Sequence, residues 1–286
     1  MKKISSNDIV KKQEKIMKME RIEVDSIKII IASHKKYQTA EEEMYVPIQV
    51  GAEGKEKIEG YIQDNTGDNI STKNPYYCEL TGLYWAWKNL DADYIGLVHY
   101  RRYFTNQKRL PKTEEEKFKV VLTEKELREK LKNVDIVLPK KRNYYIESIY
   151  SHYKHTMYVE PLDETRKKLE EKYPEYLGEF DKLYKKTSAH LFNMFVMKKE
   201  LLDAYCTWLF DILFELEKRI DPSQYDSFHA RYLGRISERL LDVWIDKNNL
   251  KYEEVKLMDM QKINWFKKGK SFLIAKFTGK KYKKSF

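Results

Sequence analysis

The strongest constraint on this chain is a set of short apolar runs that stop abruptly on polar or cationic residues. Ile27-Lys28-Ile29-Ile30-Ile31-Ala32-Ser33 gives way to His34-Lys35-Lys36, and Asp93-Tyr94-Ile95-Gly96-Leu97-Val98 gives way to His99-Tyr100-Arg101-Arg102-Tyr103-Phe104. Such runs are too short for buried helices and match strands covered on both faces. Val134–Leu138, stopped by Pro139, and Leu191–Met197 (LFNMFVM) repeat the pattern. Tyr45–Val50 is a weaker strand, because Pro47 suits a strand start or edge. Tyr76–Asn89, with Leu80, Leu83, Tyr84 and Trp87 on one face, reads as a helix, as do residues 124–132, 163–173, 175–186, 199–219 and 230–247. Residues 105–123 read as a charged surface loop and Tyr252–Leu257 as a final strand. Strands alternating with helices predict an α/β domain: one Rossmann-type sheet flanked by helices, with a helical C-terminal part.

Charge then limits the function classes. The chain carries 55 Lys and Arg against 45 Asp and Glu, a net +10 over 286 residues. Nine of those lysines, and no acid, lie in residues 261–286, so residues 1–260 carry only +1. A nucleic-acid binder would spread basic residues among aromatics across a folded face, so no nucleic-acid partner is expected. The alternative, a non-enzymatic basic protein binding RNA or an acidic surface, has only the tail to support it. A phosphotransferase reading lacks a glycine-rich phosphate loop. The tail INWFKKGKSFLIAKFTGKKYKKSF mixes lysines with Trp265, Phe266, Phe272, Leu273, Ile274 and Phe277, a composition suited to an anionic membrane surface. No run of about 18 apolar residues is present, and the N-terminus has no secretory apolar region. The expectation is a cytoplasmic protein held peripherally at the inner face of the membrane. Residues 1–26 read as a polar leader, 27–257 as the folded domain and 258–286 as the basic-aromatic tail. The two cysteines, Cys78 and Cys206, are far apart and match no metal spacing, which fits a reducing compartment.

Ligands gather beyond the carboxyl ends of strands in open α/β sheets, and three strand ends here are polar: Ser33-His34-Lys35, His99 with Arg101 and Arg102, and the His190/Asn193 strand. Two adjacent arginines there are hard to place in a core; the plain reading pairs them with carboxylates, and the sharper one is a diphosphate clamp. Asp91-Ala92-Asp93 has a metal-binding spacing but precedes its strand, whereas nucleotide-sugar transferases with a single sheet carry that motif after it. His99-Tyr100-Arg101 takes the place of the acids, so no metal ligand is assigned and none is required, with divalent-metal dependence left open. The turn-rich stretch 64–75 and the helix after it hold Asn65, Asp68, Asn69, Asn74 and Glu79, ordinary turn formers that can also hold a base, ribose or sugar. Tyr76, Tyr77, Tyr84, Trp85 and Trp87 read as packing. His152 and His155 lie three apart with no third metal ligand in sequence; His155 suits proton transfer or a sugar hydrogen bond. Glu238, in Gly234-Arg235-Ile236-Ser237-Glu238-Arg239, reads as a general base or sugar ligand, or as the partner of an adjacent arginine.

At YCELTGLYWAWKN, GLVHYRRYF, FNMFVMKKELLDAYCTWLF and SERLLDVWI the sequence resembles a bacterial family, the domain of unknown function found in capsular and exopolysaccharide glycosyltransferases. The resemblance runs from about Ile27 to about Leu257. It implies a GT-A-like fold and transfer of a sugar, with some relatives assigned as galactosyl or galactofuranosyl transferases, from a nucleotide-diphosphate donor such as a UDP-sugar to a lipid-linked oligosaccharide. With it, His34, Asn69, Asn74, Glu79, His99, Arg101 and Arg102 become candidates for donor binding. His190, Asn193 and Arg239 become candidates for the acceptor or sugar. Glu238 and His155, and after them Asp226, are candidates for the catalytic base.

Overall fold

The computed structural model describes residues 25–261 together with Lys276, Thr278, Lys281 and Tyr282. Almost all of the leader, and the six apolar tail residues expected at a membrane, lie outside the described residues.

The first apolar run becomes β1 (Ile27–Ser33), paired in parallel with β2 (Tyr45–Gln49) on one side and β4 (Tyr94–His99) on the other. The short β3 (Ile62–Gln63) extends the sheet beyond β2. Ile30 and Ala32 of β1 enter one apolar cluster and Ile27, Ile29 and Ile31 the other, the alternation that a strand buried on both faces must show. Beyond β4 lies β9 (Phe195–Lys198), antiparallel to it. Then come β6 (Ile136–Pro139), antiparallel to β9, and β10 (Tyr252–Asp259), parallel to β6.

The expectation of a single open sheet is corrected at β5 (Arg102–Thr105). This strand touches β4 only at His99↔Arg102 and then runs antiparallel to β10. Strands β4, β5, β10, β6 and β9 therefore form a closed ring of pairings. The cause is local. Tyr100 and Arg101 form a two-residue turn, and neither has positive φ. Turns of that kind do not match strand twist, so the two strands splay apart.

One face of the sheet is covered by α1 (Asn74–Tyr77), α2 (Leu80–Asn89), α8 (Lys199–Arg219) and α9 (Tyr232–Lys247), backed by α5 (Ile149–Thr156), α6 (Glu160–Lys172) and α7 (Pro174–Lys185). The other face packs on Leu127 and Leu131 of α4 (Glu124–Leu131) and on Phe118 of α3 (Glu114–Phe118). The expected loop 105–123 thus contains a helix, started by a capping box at Thr113 and Glu116. The helix expected over 76–89 is broken in two at Cys78, which sits at φ 54°. The last strand runs past Leu257 to Asp259, and the Met260 N–H then donates to the Arg101 carbonyl, so the folded region extends beyond its expected boundary. A small ribbon pairs β7 (Arg142–Asn143) with β8 (Ser188–Ala189).

Gly96 marks the closest approach in the sheet. A Cβ there would lie 2.8 Å from Val196 Cγ2 and 2.9 Å from the Phe195 carbonyl oxygen. Gly96→Val is expected to destabilise the fold by about 1–3 kcal/mol through overpacking. A urea-unfolding midpoint equal to that of the parent protein would contradict this.

Candidate functional site

A cleft of about 930 Å³ opens beside the carboxyl ends of β1, β4 and β6. Its lining includes six arginines, Arg101, Arg102, Arg142, Arg231, Arg235 and Arg239, against two carboxylates, Glu79 and Glu238. This excess of positive charge in a concave wall favours an anionic ligand. Of the candidates, His34, Asn74, Glu79, His99, Arg101, Arg102, Glu238 and Arg239 all line it.

The β4–β5 turn places Tyr100 and Arg101 at the mouth. Tyr100 stacks on Tyr37 at 4.0 Å, and the exposed His34 ring meets Tyr100 edge-on at 5.3 Å. The Arg101 guanidinium lies 5.3 Å from the Tyr100 ring centre. Arg102 is held from two sides, by a 3.1 Å Nε bond to Asp259 Oδ1 and by the Phe192 ring 4.6 Å from its guanidinium carbon. The Asp259 contact occupies Nε and leaves the two terminal nitrogens for a ligand.

His99 does not supply the positive charge expected of it. Its Nε2 donates to the Phe192 carbonyl at 2.7 Å, and burial, with Arg102 adding to it, pushes its pKa down to about 4. The ring is therefore neutral at physiological pH and holds the Phe192 carbonyl against the end of β4.

Phe192 (φ 112°) and Asn193 (φ 52°) are consecutive non-glycine residues in the left-handed region, at the point where the sequence pattern predicted strand. At Phe192 such an angle costs on the order of 1–3 kcal/mol and persists only where its surroundings over-determine it, whereas asparagine tolerates the left-handed region. Here the surroundings are the site. The Phe192 carbonyl takes His99 and its ring covers Arg102. The buried Asn193 amide donates to Glu79 Oε1 at 2.7 Å and to the Gly234 carbonyl at 3.1 Å. Asn193, expected to touch a sugar, instead orients a carboxylate that faces the cleft. Its Oδ1 is buried without a hydrogen-bond partner among the described residues.

Glu79 and Glu238 both have pKa values raised by burial. The Asn193 bond opposes the rise in Glu79, and Arg239 opposes it in Glu238. The charge on Glu79 adds to the rise in Glu238. Arg239 is buried, 3.5 Å from Glu238 Oε2 and 4.7 Å over the Tyr153 ring. Asn74 lines the wall, but its amide caps the α1–α2 break, donating to the Cys78 carbonyl at 2.8 Å. Burial pushes the Cys78 thiol up to about 12, so it is an inert wall residue.

Besides Asn193, four candidates are not brought to the cleft lining. Asn69 makes an Asx turn, accepting from Ser71 N–H at 3.1 Å. His155 turns its Nδ1 to the buried Glu147 at 2.8 Å, and its neighbour His152 lines the cleft instead. His190 is fully buried between Asp242 (2.5 Å) and Glu254 (2.9 Å), tying the segment before β9 to α9 and β10. Asp226 caps its own turn, accepting from Phe228 and His229 N–H and from the His229 ring, which holds its acid below the usual range. Asp93, at the other end of β4, clasps Ser26 at 2.6 and 2.8 Å. Among the described residues no group of three or more His, Cys, Asp or Glu side chains is arranged to hold a metal ion.

Sequence reasoning missed Arg142, Arg231, Tyr144 and Tyr282, all in the lining. Arg142 follows β6 and was open to the same strand-end argument as Arg101. Tyr282, in the lysine-rich tail, gave no local signal.

Comparison with known proteins adds a family. Residues 28–249 match the family described as a domain of unknown function, DUF4422. The chain is also similar to the solved apo structure of the WbbM bifunctional glycosyltransferase. The two are 32% identical, with a TM-score of 0.75, over 83% of this chain and 46% of that one. The chain thus spans less than half the length of that solved chain. No curated protein matches it.

The depressed pKa of His99 carries a stability consequence. The unfolded chain takes up this proton near pH 6.5, whereas the folded chain resists it down to about 4. Stability from this source is therefore full above pH 6.5 and falls as pH drops. The loss between pH 7.5 and 5 is about 2 kcal/mol at 1.36 kcal/mol per pKa unit. His99→Gln, which keeps a neutral donor, is expected to lose that much less than the parent over the same interval. Parallel unfolding curves at the two pH values for both proteins would refute the assignment.

Proposed function

Because the chain belongs to the DUF4422 family, we propose that it is a glycosyltransferase of GT-A-like architecture, moving a hexosyl group from a nucleotide-diphosphate sugar to a saccharide acceptor. The observation that carries the reading is the Arg101–Arg102 pair, presented by the β4–β5 turn at the edge of a cationic cleft that also holds two partly buried carboxylates. The likeness to a glycosyltransferase supports the reaction class.

In this reading the donor diphosphate lies against Arg101 and the free face of Arg102. Their fixed charge stabilises the diphosphate as the glycosidic C–O bond lengthens, and the arginines need little reorganisation because Asp259 and Phe192 already hold Arg102. Glu79, fixed by Asn193, takes a hydroxyl of the donor sugar. Glu238 accepts the proton of the attacking acceptor hydroxyl. Its burial raises its basicity toward the working pH, as a general base requires. Galactose or galactofuranose as the sugar, a lipid-linked acceptor in capsular or exopolysaccharide synthesis, and peripheral membrane contact through 261–286 complete the proposal. It rests for these on the sequence resemblance and the tail's composition. Among the described residues no helix is long and apolar enough to cross a membrane.

Three outcomes are expected. Arg101→Ala and Arg102→Ala each weaken UDP binding by about 1.5–3 kcal/mol, the worth of a charged hydrogen bond. Arg101→Lys also weakens it, because a point charge does not reproduce the guanidinium fork. Calorimetry showing unchanged UDP affinity in both alanine variants would sink the clamp. Turnover persists in EDTA; complete loss restored by Mn²⁺ would show instead that a metal carries the diphosphate charge. Glu238→Gln lowers kcat by about 10²–10⁴-fold. It also removes an acidic limb of the kcat/KM profile that lies above the ordinary carboxylate range. A profile unaltered in shape would exclude Glu238 as the base.

A further inference from the structure

Tyr282 lines the same cleft as His99 and Glu238, although it belongs to the tail that composition alone assigns to a membrane. Three contacts tie Lys276, Lys281 and Tyr282 to the domain. The Tyr282 N–H donates to the Thr156 carbonyl at the end of α5 at 3.1 Å. Lys281 Nζ bonds the Lys154 carbonyl of the same helix. Lys276 Nζ lies 3.3 Å from Glu147 Oε1, a carboxylate whose side chain is only 2% exposed. A carboxylate that deeply buried needs a compensating partner, and Lys276 joins His155 in supplying it.

The strand order separates two parts of the cleft: β9 lies between β4, which feeds Arg101 and Arg102, and β6, which feeds Arg142. Arg142 lines the cleft with Glu238 and opposes the rise in its pKa. Arg142 in turn acts on Tyr282 together with Tyr144 and Glu147. Tyr144 is pinned by stacking on His152 at 3.8 Å and 18°, and the Arg142 guanidinium lies 5.3 Å from the Tyr144 ring centre. Burial pushes the Tyr282 phenol up to about 12, so it stays a neutral hydroxyl. Across β9 from the β4–β5 turn the wall thus offers Arg142 and Tyr144, with Tyr282 in the same lining. Flat rings with polar tips, beside a fork of donors, suit a sugar ring, whose faces are partly apolar and whose rim is hydroxylated. A base must touch the hydroxyl it deprotonates, so an acceptor served by Glu238 lies on this side.

We propose that Arg142, Tyr144 and Tyr282 form a saccharide subsite for the acceptor, with Tyr282 as its specificity-determining wall. The assignment rests on the glycosyltransferase reading and adds where the acceptor lies and what recognises it. It also gives the basic tail a role in the site itself.

The test uses the full chain and two probes, UDP and a panel of octyl β-glycosides (galactoside, glucoside and N-acetylglucosaminide) below their micelle concentrations. Binding is measured by saturation-transfer NMR and calorimetry. At least one glycoside is expected to bind the parent protein. Tyr282→Ala should weaken it tenfold or more, and Tyr282→Phe less, while UDP affinity stays within twofold for both. The subsite is overturned if no glycoside binds the parent, or if Tyr282→Ala binds them unchanged. It is also overturned if a chain ending at Met260 loses adhesion to phosphatidylglycerol vesicles but keeps glycoside affinity, because the tail is then an anchor only. Absence of UDP binding in the parent refutes the glycosyltransferase reading, whichever way the glycoside result falls.

Discussion

The candidate site depends on one strained dipeptide. Phe192 holds a positive-φ backbone angle that its side chain disfavours, and Asn193 beside it holds a left-handed angle that asparagine tolerates. What they gain is reach: one carbonyl, one ring and one amide, within two residues, fix His99, Arg102 and Glu79. Had the strand begun at Leu191, as the hydrophobic pattern predicts, those three groups would point into an open cleft with no common support. The strain is balanced by buried hydrogen bonds, and the buried Asn193 carboxamide cannot be exchanged for an apolar residue without stranding the Gly234 carbonyl and the Glu79 carboxylate.

Much of the frame was legible because it follows from periodicity. β1 and β4 appeared as apolar runs with sharp polar ends, and the alternation along β1 assigns its side chains to the two cores observed. The long helix α8 fell within the expected residues 199–219. The strand-end argument found Arg101 and Arg102 without any structure, since two guanidinium groups there have no apolar alternative. The breaks were not legible. The helix through Cys78 and the strand through Phe192 are each interrupted by one polar residue, Glu79 and Asn193, and no glycine or proline stands at either kink. Local propensity favours continuation at both points, and tertiary hydrogen bonds override it.

The histidines show why residue type is a weak guide to role. His155 and His190 were read as chemistry, yet each faces a buried carboxylate. A carboxylate removed from water requires a partner before anything else, and imidazole satisfies it with little exposed surface. His99 carries the converse lesson. It does sit at the site, but its own burial, and after it the arginine beside it, deny it a charge. Only the distribution of charge in three dimensions separates these cases, and spacing along the chain holds no trace of it.

That distribution also changes how the basic tail is to be understood. With +1 on residues 1–260 and +9 on the remainder, the chain looks divided into a neutral body and a cationic appendage. The cleft contradicts that division. Six arginines line it, so the near-neutral body already concentrates positive charge in one place and balances it elsewhere. At the same time one tail lysine is spent on the buried Glu147, and one tail tyrosine reaches the wall beside Arg142. An appendage serving only a membrane would have no reason to neutralise a buried carboxylate of the domain. Charge in this chain is therefore organised around the cleft, with arginine on its strand ends, turns and helices and with Lys276, Lys281 and Tyr282 of the tail tied to the segment 147–156 beside it.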